Sequence, residues 1–194
     1  MMMEKDFNVI PDLSQFHNKK ALVVDLDDAL YPKRDFLLQV YYLFANFIEF
    51  TLHRPAAPDL LDTMKVYYET RGEEGLFEHT AQKFPEIATF KDNFDRLHHQ
   101  AQLPLKLLLF PGIKELIQQF QQAGKPVLIL TAGDPLMQLN KIKQIDWQGM
   151  EKQVKVYFKD ELAFRGLEPL RFVLDEHNLM EDEVGFVDFW KTSE

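Results

Sequence analysis

The stretch Val23-Val24-Asp25-Leu26-Asp27-Asp28-Ala29-Leu30-Tyr31 decides how the rest of the chain is read. The apolar run that leads into it, Ala21-Leu22-Val23-Val24, stops abruptly at acidic residues, with carboxylates two positions apart at Asp25 and Asp27. A short, uninterrupted apolar run fits a strand buried on both faces, as in a parallel sheet. Just beyond such a strand, both carboxylates can point towards one reaction centre. A carboxylate can attack phosphorus and so split a hydrolysis into two easier displacements. Taken alone, the stretch also fits an acidic strand-to-loop turn without chemistry.

Working outward, three more runs have strand character: Val127-Leu128-Ile129-Leu130, Val154-Lys155-Val156-Tyr157-Phe158 and Val184-Gly185-Phe186-Val187. The first of these again fits burial on both faces. Between the runs lie helical patterns. Pro111-Gly112 opens one that carries Ile113, Leu116, Ile117 and Phe120 at helical spacing and closes at Gly124. Asp134 and Pro135 cap and start another, whose predicted apolar face is Leu136, Leu139, Ile142 and Ile145. A third follows Pro169 with Leu170, Val173 and Leu174. Alternating strands and helices predict an α/β class, a Rossmann-like parallel sheet with right-handed crossovers. Asp25, Thr131, Lys159 and Asp188 each follow one of the apolar runs, at the sheet edge where ligands bind in such folds.

Residues 31–105 break this alternation. Their periodicity is helical, with Leu60, Leu61, Met64, Tyr67 and Tyr68 as one stripe, and a structureless loop of that length is implausible. The expectation is an all-helical cap over 31–105, inserted into a core built from 1–30 and 106–194. The aromatic residues Phe36, Tyr41, Tyr42, Phe44, Phe47 and Phe50 are assigned to cap packing. The segment Phe36 to Leu52 is interrupted by Gln39, Asn46 and Glu49 and reads as a buried helix, too short and too polar for a membrane span.

Bulk properties exclude several classes. The 194 residues suffice for one core with a large insertion, and 46% hydrophobic with 27% charged residues is ordinary globular usage. A formal net charge of −9 opposes a surface that tracks nucleic-acid phosphates. Without cysteine, disulfides, thiolate metal sites and cysteine nucleophiles are ruled out. That fits a reducing compartment, and with no signal-type apolar stretch in Met1 to Ile10 the expectation is a cytoplasmic protein. Adjacent His98 and His99 point about 100° apart on a helix and do not share an ion, so a solvated helix face is expected there.

Asp25-Leu26-Asp27-Asp28-Ala29-Leu30-Tyr31 resembles the first motif of haloacid dehalogenase-like hydrolases, Asp-x-Asp-x-Thr. The resemblance extends to Thr131 after the second strand, to Lys159 in Phe158-Lys159-Asp160 and to Asp188 at the fourth run, with Lys155 the less suitable alternative lysine. It implies Asp25 as nucleophile and Mg²⁺ ligand. It implies Asp27 as general acid/base and carbonyl ligand, Asp28 in a structural role, and Asp188 as a further metal ligand. Thr131 and the backbone of Ala132 would hold phosphoryl oxygens, and Lys159 would offset charge between nucleophile and phosphate. Two departures stand out. Ala29 replaces the commoner Thr, and Phe189-Trp190 follows Asp188 where an acidic pair is usual. The chain also ends at Glu194 without the helix and strand that many relatives carry, so a shortened C-terminus is expected.

The resemblance implies Mg²⁺-dependent hydrolysis of a small phosphomonoester, such as a sugar phosphate or nucleotide, through an aspartyl-phosphate. Asp27 favours phosphate esters over dehalogenation, because only an alkoxide leaving group needs protonation. Helical caps of this type open and close over the site and choose the substrate. The alternative reading is a weakened or inactive member kept for binding or regulation.

Overall fold

The computed structural model describes residues 13–188. Chain order is β1 (Ala21–Val24), α1 (Lys33–Leu52), α2 (Ala57–Arg71), α3 (Leu76–Lys83), α4 (Lys91–Gln100), α5 (Pro111–Gln122), β2 (Val127–Thr131), α6 (Pro135–Gln144), β3 (Val154–Phe158), α7 (Lys159–Phe164), α8 (Pro169–Glu176) and β4 (Val184–Val187). The strands form one sheet in the order β3-β2-β1-β4, and every pairing is parallel. Val24 pairs with Ile129 on one side and Val187 on the other, while Thr131 pairs with Phe158. β1 is therefore interior. The chain moves from it to β2 and β3 on one side, then returns to place β4 on the other, so the topological switch point lies at the carboxyl end of β1.

Every residue of β1 and of β2 is buried, which explains why their runs are continuously apolar. Ala21, Val23, Leu128, Leu130 and Val184 turn one face towards Leu162 of α7 and Val173 and Leu174 of α8. Strand alternation sends Leu22 and Val24 to the opposite face. α5 packs against β1 and β2, burying Ile113, Leu116, Ile117 and Phe120. In β4, a Cβ on Gly185 would stand 2.5 Å from Cδ1 of the buried Phe16 ring, so the close approach of that ring requires glycine.

The helix ends follow the local chemistry. Asp134 caps α6 by accepting the Met137 N–H at 2.9 Å, and the Glu168 carboxylate accepts the Leu170 and Arg171 N–H groups at the start of α8. Proline stands in the first turn of α5, α6 and α8, where its missing N–H has no helical partner to lose. Gly124 takes a φ of +67° just past α5, which suits glycine.

The chain divides into two compact units. One runs to Lys33 and resumes at Lys106; the other is Arg34–Leu105. The helical unit has its own core, in which Phe44, Phe77 and Phe94 meet with centroids 5.1–6.0 Å apart and Tyr41 stacks on Phe94 at 6.1 Å. Glu49 accepts the N–H groups of Ala56 and Ala57, both at 3.0 Å, satisfying donors at the entry to α2. Those two bonds hold its carboxyl below the usual glutamate range. Among the described residues, no helix is long and apolar enough to cross a membrane.

Two expectations need correction. The burial expected for one face of α6 holds only towards its C-terminal end, where Ile142 is half-buried and Ile145 buried; Leu136 is 67% and Leu139 36% exposed, while Gln138 and Lys141 are at 3% and 2%. His98 does not lie on a solvated face. It packs against Phe94 at 4.6 Å and near Phe36 and Tyr41, with Nδ1–H donating to the Phe94 carbonyl at 2.9 Å.

Candidate active site

The carboxyl edge of the sheet gathers the reactive groups. Asp25 leaves β1 with its N–H donating to the Val187 carbonyl at 2.8 Å, which continues the β1–β4 ladder by one step. Its Oδ1 accepts the Leu26 N–H at 2.7 Å, and its Oδ2 accepts Lys159 Nζ at 2.8 Å. Lys159 is the first residue of α7, directly after β3, so the pair spans the sheet edge. Both side chains keep partial contact with solvent, 37% for the lysine and 25% for the aspartate. Lys155, in mid-strand, instead faces Glu176 at 3.8 Å.

Asp27 is held from two directions. Its Oδ1 accepts the Tyr31 hydroxyl at 2.7 Å, and its Oδ2 accepts Lys141 Nζ at 2.5 Å. Burial, and then the charges of Asp27 and Asp28, push the Tyr31 phenol far above its ordinary range, so it remains a donor. Each carboxylate oxygen has two acceptor positions, so one on each remains for a reacting group. Asp28 takes a left-handed φ of +59°, a conformation that aspartate tolerates, and its Oδ1 accepts the Lys33 N–H at 2.9 Å where α1 begins. It shapes the loop. Ala29, at the position where the resembling motif most often has threonine, is fully buried.

Thr131 closes β2 and is 1% exposed. Gln138 Nε2 donates to Thr131 Oγ1 at 2.9 Å and to the Ala132 carbonyl at 2.6 Å. With a lone pair of Oγ1 already used, the threonine proton is free to donate to an anion in front of the strand. Its contact with the Ala132 carbonyl, at 3.5 Å, is too long to compete strongly. Asp160 Oδ2 accepts the Gly133 N–H at 2.6 Å and pins the turn that follows Thr131.

Asp188 follows Val187 and is exposed. Since Val24 and Val187 are partners, Asp25 and Asp188 leave neighbouring strands at the same level. Phe189 and Trp190 lie outside the described residues. Among the described residues, no three Asp, Glu, His or Cys side chains form a metal-binding group. Two carboxylates and the Asp27 carbonyl are nonetheless a hard-oxygen donor set of the kind that suits Mg²⁺, which keeps several waters and needs only one or two carboxylates.

Tyr31, Gln138, Lys141 and Asp160 are the site residues whose contacts the sequence did not reveal. For Gln138 and Lys141 the only signal was their i, i+3 spacing on the helix that follows Thr131, and the leucines at 136 and 139 pointed the other way. Two surface cavities, of about 270 Å³ beside Phe47 and Arg96 and about 460 Å³ beside α8, contain none of these side chains. The candidate site therefore rests on the chemistry of the sheet edge and not on cavity size.

A parallel sheet in the order β3-β2-β1-β4, with a helical unit inserted in the chain between β1 and β2, is the haloacid dehalogenase-like fold. Among solved structures, the hydrolase YfnB from Bacillus subtilis bound to magnesium is similar at TM-score 0.53 and 15% identity, over 87% of this chain and 77% of that one. A β-phosphoglucomutase from Thermotoga maritima (TM-score 0.49, 17% identity, 86% of this chain and 74% of that one) and a dehalogenase (0.49, 15%, 88% and 76%) are also similar. At such identities the likeness is one of fold. No protein-family model and no curated protein matches the chain.

Proposed function

We propose that this chain hydrolyses a small phosphomonoester in two displacements. The observation that carries the proposal is the Lys159–Asp25 ion pair at the switch point, with Thr131 held ready to donate at the same edge. In the first step an Asp25 oxygen bonds to phosphorus as the ester P–O bond breaks, and Asp27 gives a proton to the leaving alkoxide. In the second, Asp27 takes a proton from water while the water oxygen attacks phosphorus. The bond to Asp25 then breaks and inorganic phosphate is released. Lys159, Thr131 and the Ala132 backbone offset the charge on the phosphoryl oxygens. Asp25, Asp188 and the Asp27 carbonyl are the groups that would hold Mg²⁺, which supplies further charge neutralisation to the phosphoryl group when bound. The substrate class is a small phosphorylated metabolite, such as a sugar phosphate or nucleotide.

The test is turnover across a panel of phosphate esters with Mg²⁺ present and then chelated. Release of inorganic phosphate that stops on chelation and returns with Mg²⁺ is expected. No turnover on any ester, with no heat of Mg²⁺ binding by calorimetry, would favour the alternative of a fold kept for binding or regulation. A second outcome tests the threonine. Gln138→Leu removes the amide that orients Thr131, and kcat/KM is expected to fall about 10-fold, the weight of one hydrogen bond near 1.4 kcal/mol. An unchanged kcat/KM would show that Thr131 needs no such support.

A further inference from the structure

We infer that Lys141 is a positioning residue that sets Asp27 for proton transfer, an inference that rests on the phosphatase reading above. Lysine at 2% exposure is uncommon, because burying an ammonium is costly unless it is paired. Here the pairing runs to one particular carboxylate, Asp27, 114 positions away in sequence, at 2.5 Å. The partner is not fully buried: the Asp27 side chain keeps 21% exposure, and that open side is where a substrate would arrive. The buried cation thus grips the acid/base group from the protein side and leaves its other side free.

Two further features make this more than a chance contact. Tyr31 grips the other oxygen of the same carboxylate, so its rotation is fixed at both ends. Gln138, three positions before Lys141 on the same inward face of α6, holds Thr131. A single helix therefore supports the threonine that would bind the phosphoryl oxygens and the proton-transfer group together. Catalytic groups must be held close to their productive geometry by neighbours that are themselves locked, which a nearly buried lysine provides. The arrangement also leaves each of the two neighbouring carboxylates, Asp25 and Asp27, matched to its own ammonium. A phosphate dianion then meets paired charges instead of bare ones.

If Lys141 acts through Asp27, its loss should matter most where the leaving group needs a proton. An alkyl phosphate leaves as a strongly basic alkoxide, whereas p-nitrophenyl phosphate leaves as a weakly basic phenolate that departs unprotonated. Lys141→Met is expected to lower kcat/KM, which reports the first displacement and not the hydrolysis of the aspartyl-phosphate common to both esters, about 100-fold on an alkyl phosphate, within the usual range of general acid–base contributions, and only about 3-fold on p-nitrophenyl phosphate. Lys141→Gln, which keeps a donor, should fall between wild type and Lys141→Met. Asp27→Asn should show the same discrimination, more strongly. Equal losses on both esters in Lys141→Met, or no loss on either, would overturn the inference. If Asp27→Asn itself fails to discriminate, the acid/base assignment of Asp27 fails instead. The pairing is also measured without turnover, by thermal unfolding of Asp27→Asn, Lys141→Met and the double variant. The double variant should lose clearly less Tm than the two single losses added together, whereas strict additivity would show that the residues do not act as a pair and would sink the inference.

Discussion

Asp25→Asn is expected to lower kcat for the proposed phosphate-ester hydrolysis by at least ~10⁴-fold while the protein remains folded, the scale of loss that follows removal of a nucleophile. Asparagine has the same shape as aspartate, so the Leu26 N–H can still donate to its side-chain oxygen, as it does to Asp25 Oδ1 at 2.7 Å. The amide is a poor nucleophile towards phosphorus and carries no charge for Lys159. The cost in stability should be small. Lys159 is 37% exposed, so its ammonium stays solvated when the partner is lost, and a pair this open is worth at most about 1 kcal/mol. Activity and stability therefore separate. Steady-state kinetics and thermal unfolding on the same preparation check both. A variant that retains more than about a tenth of wild-type kcat, where a lost nucleophile costs several orders of magnitude, would remove Asp25 from its proposed role.

What the sequence showed of this site, and what it hid, follows from the physics of each element. β1 and β2 are covered on both faces, so burial writes itself as uninterrupted apolar runs, and the residues that end those runs, Asp25 and Thr131, stand out. Lys159 was legible for the same reason, although β3 is less buried and its neighbour Lys155 offered a rival. α6 was harder. Its leucines at 136 and 139 suggested an inward face, yet the helix turns Gln138 and Lys141 inward because a carboxylate and a threonine at the sheet edge need partners. Periodicity counts apolar residues and is blind to a partner 114 positions away. The same blindness applied to His98. A histidine in a polar helix reads as solvated until Phe94, one turn earlier, is seen to cover it.

Phe94→Ala is expected to cost the helical unit about 3–5 kcal/mol, a large share of the roughly 5–15 kcal/mol that holds a domain together. Phe94 is 7% exposed and is the residue on which this core converges. Its ring lies 5.1 Å from Phe44, 5.3 Å from Phe77, 6.1 Å from Tyr41 and 4.6 Å from His98, with the Lys91 ammonium 5.9 Å from its centroid. Truncation removes all of these contacts at once and leaves a cavity bordered by Tyr41 and Phe44 of α1, Phe77 of α3 and His98 of α4. Amide hydrogen exchange should show protection falling throughout α1–α4. Unchanged protection there would mean that the aromatic cluster does not carry the unit. His98 supplies an independent probe. Burial is the main reason its pKa lies below 6.5, outweighing the Phe94 carbonyl and the acids Glu73 and Asp95, which pull it upward. Because the folded value is depressed, the unfolded chain takes up the proton first, so this histidine's contribution to stability is lost as pH falls below about 6.5. Opening the cluster lets water reach the ring while the Phe94 carbonyl remains. His98 in Phe94→Ala should then titrate closer to 6.5 by NMR, and the acid sensitivity of the helical unit should flatten with it.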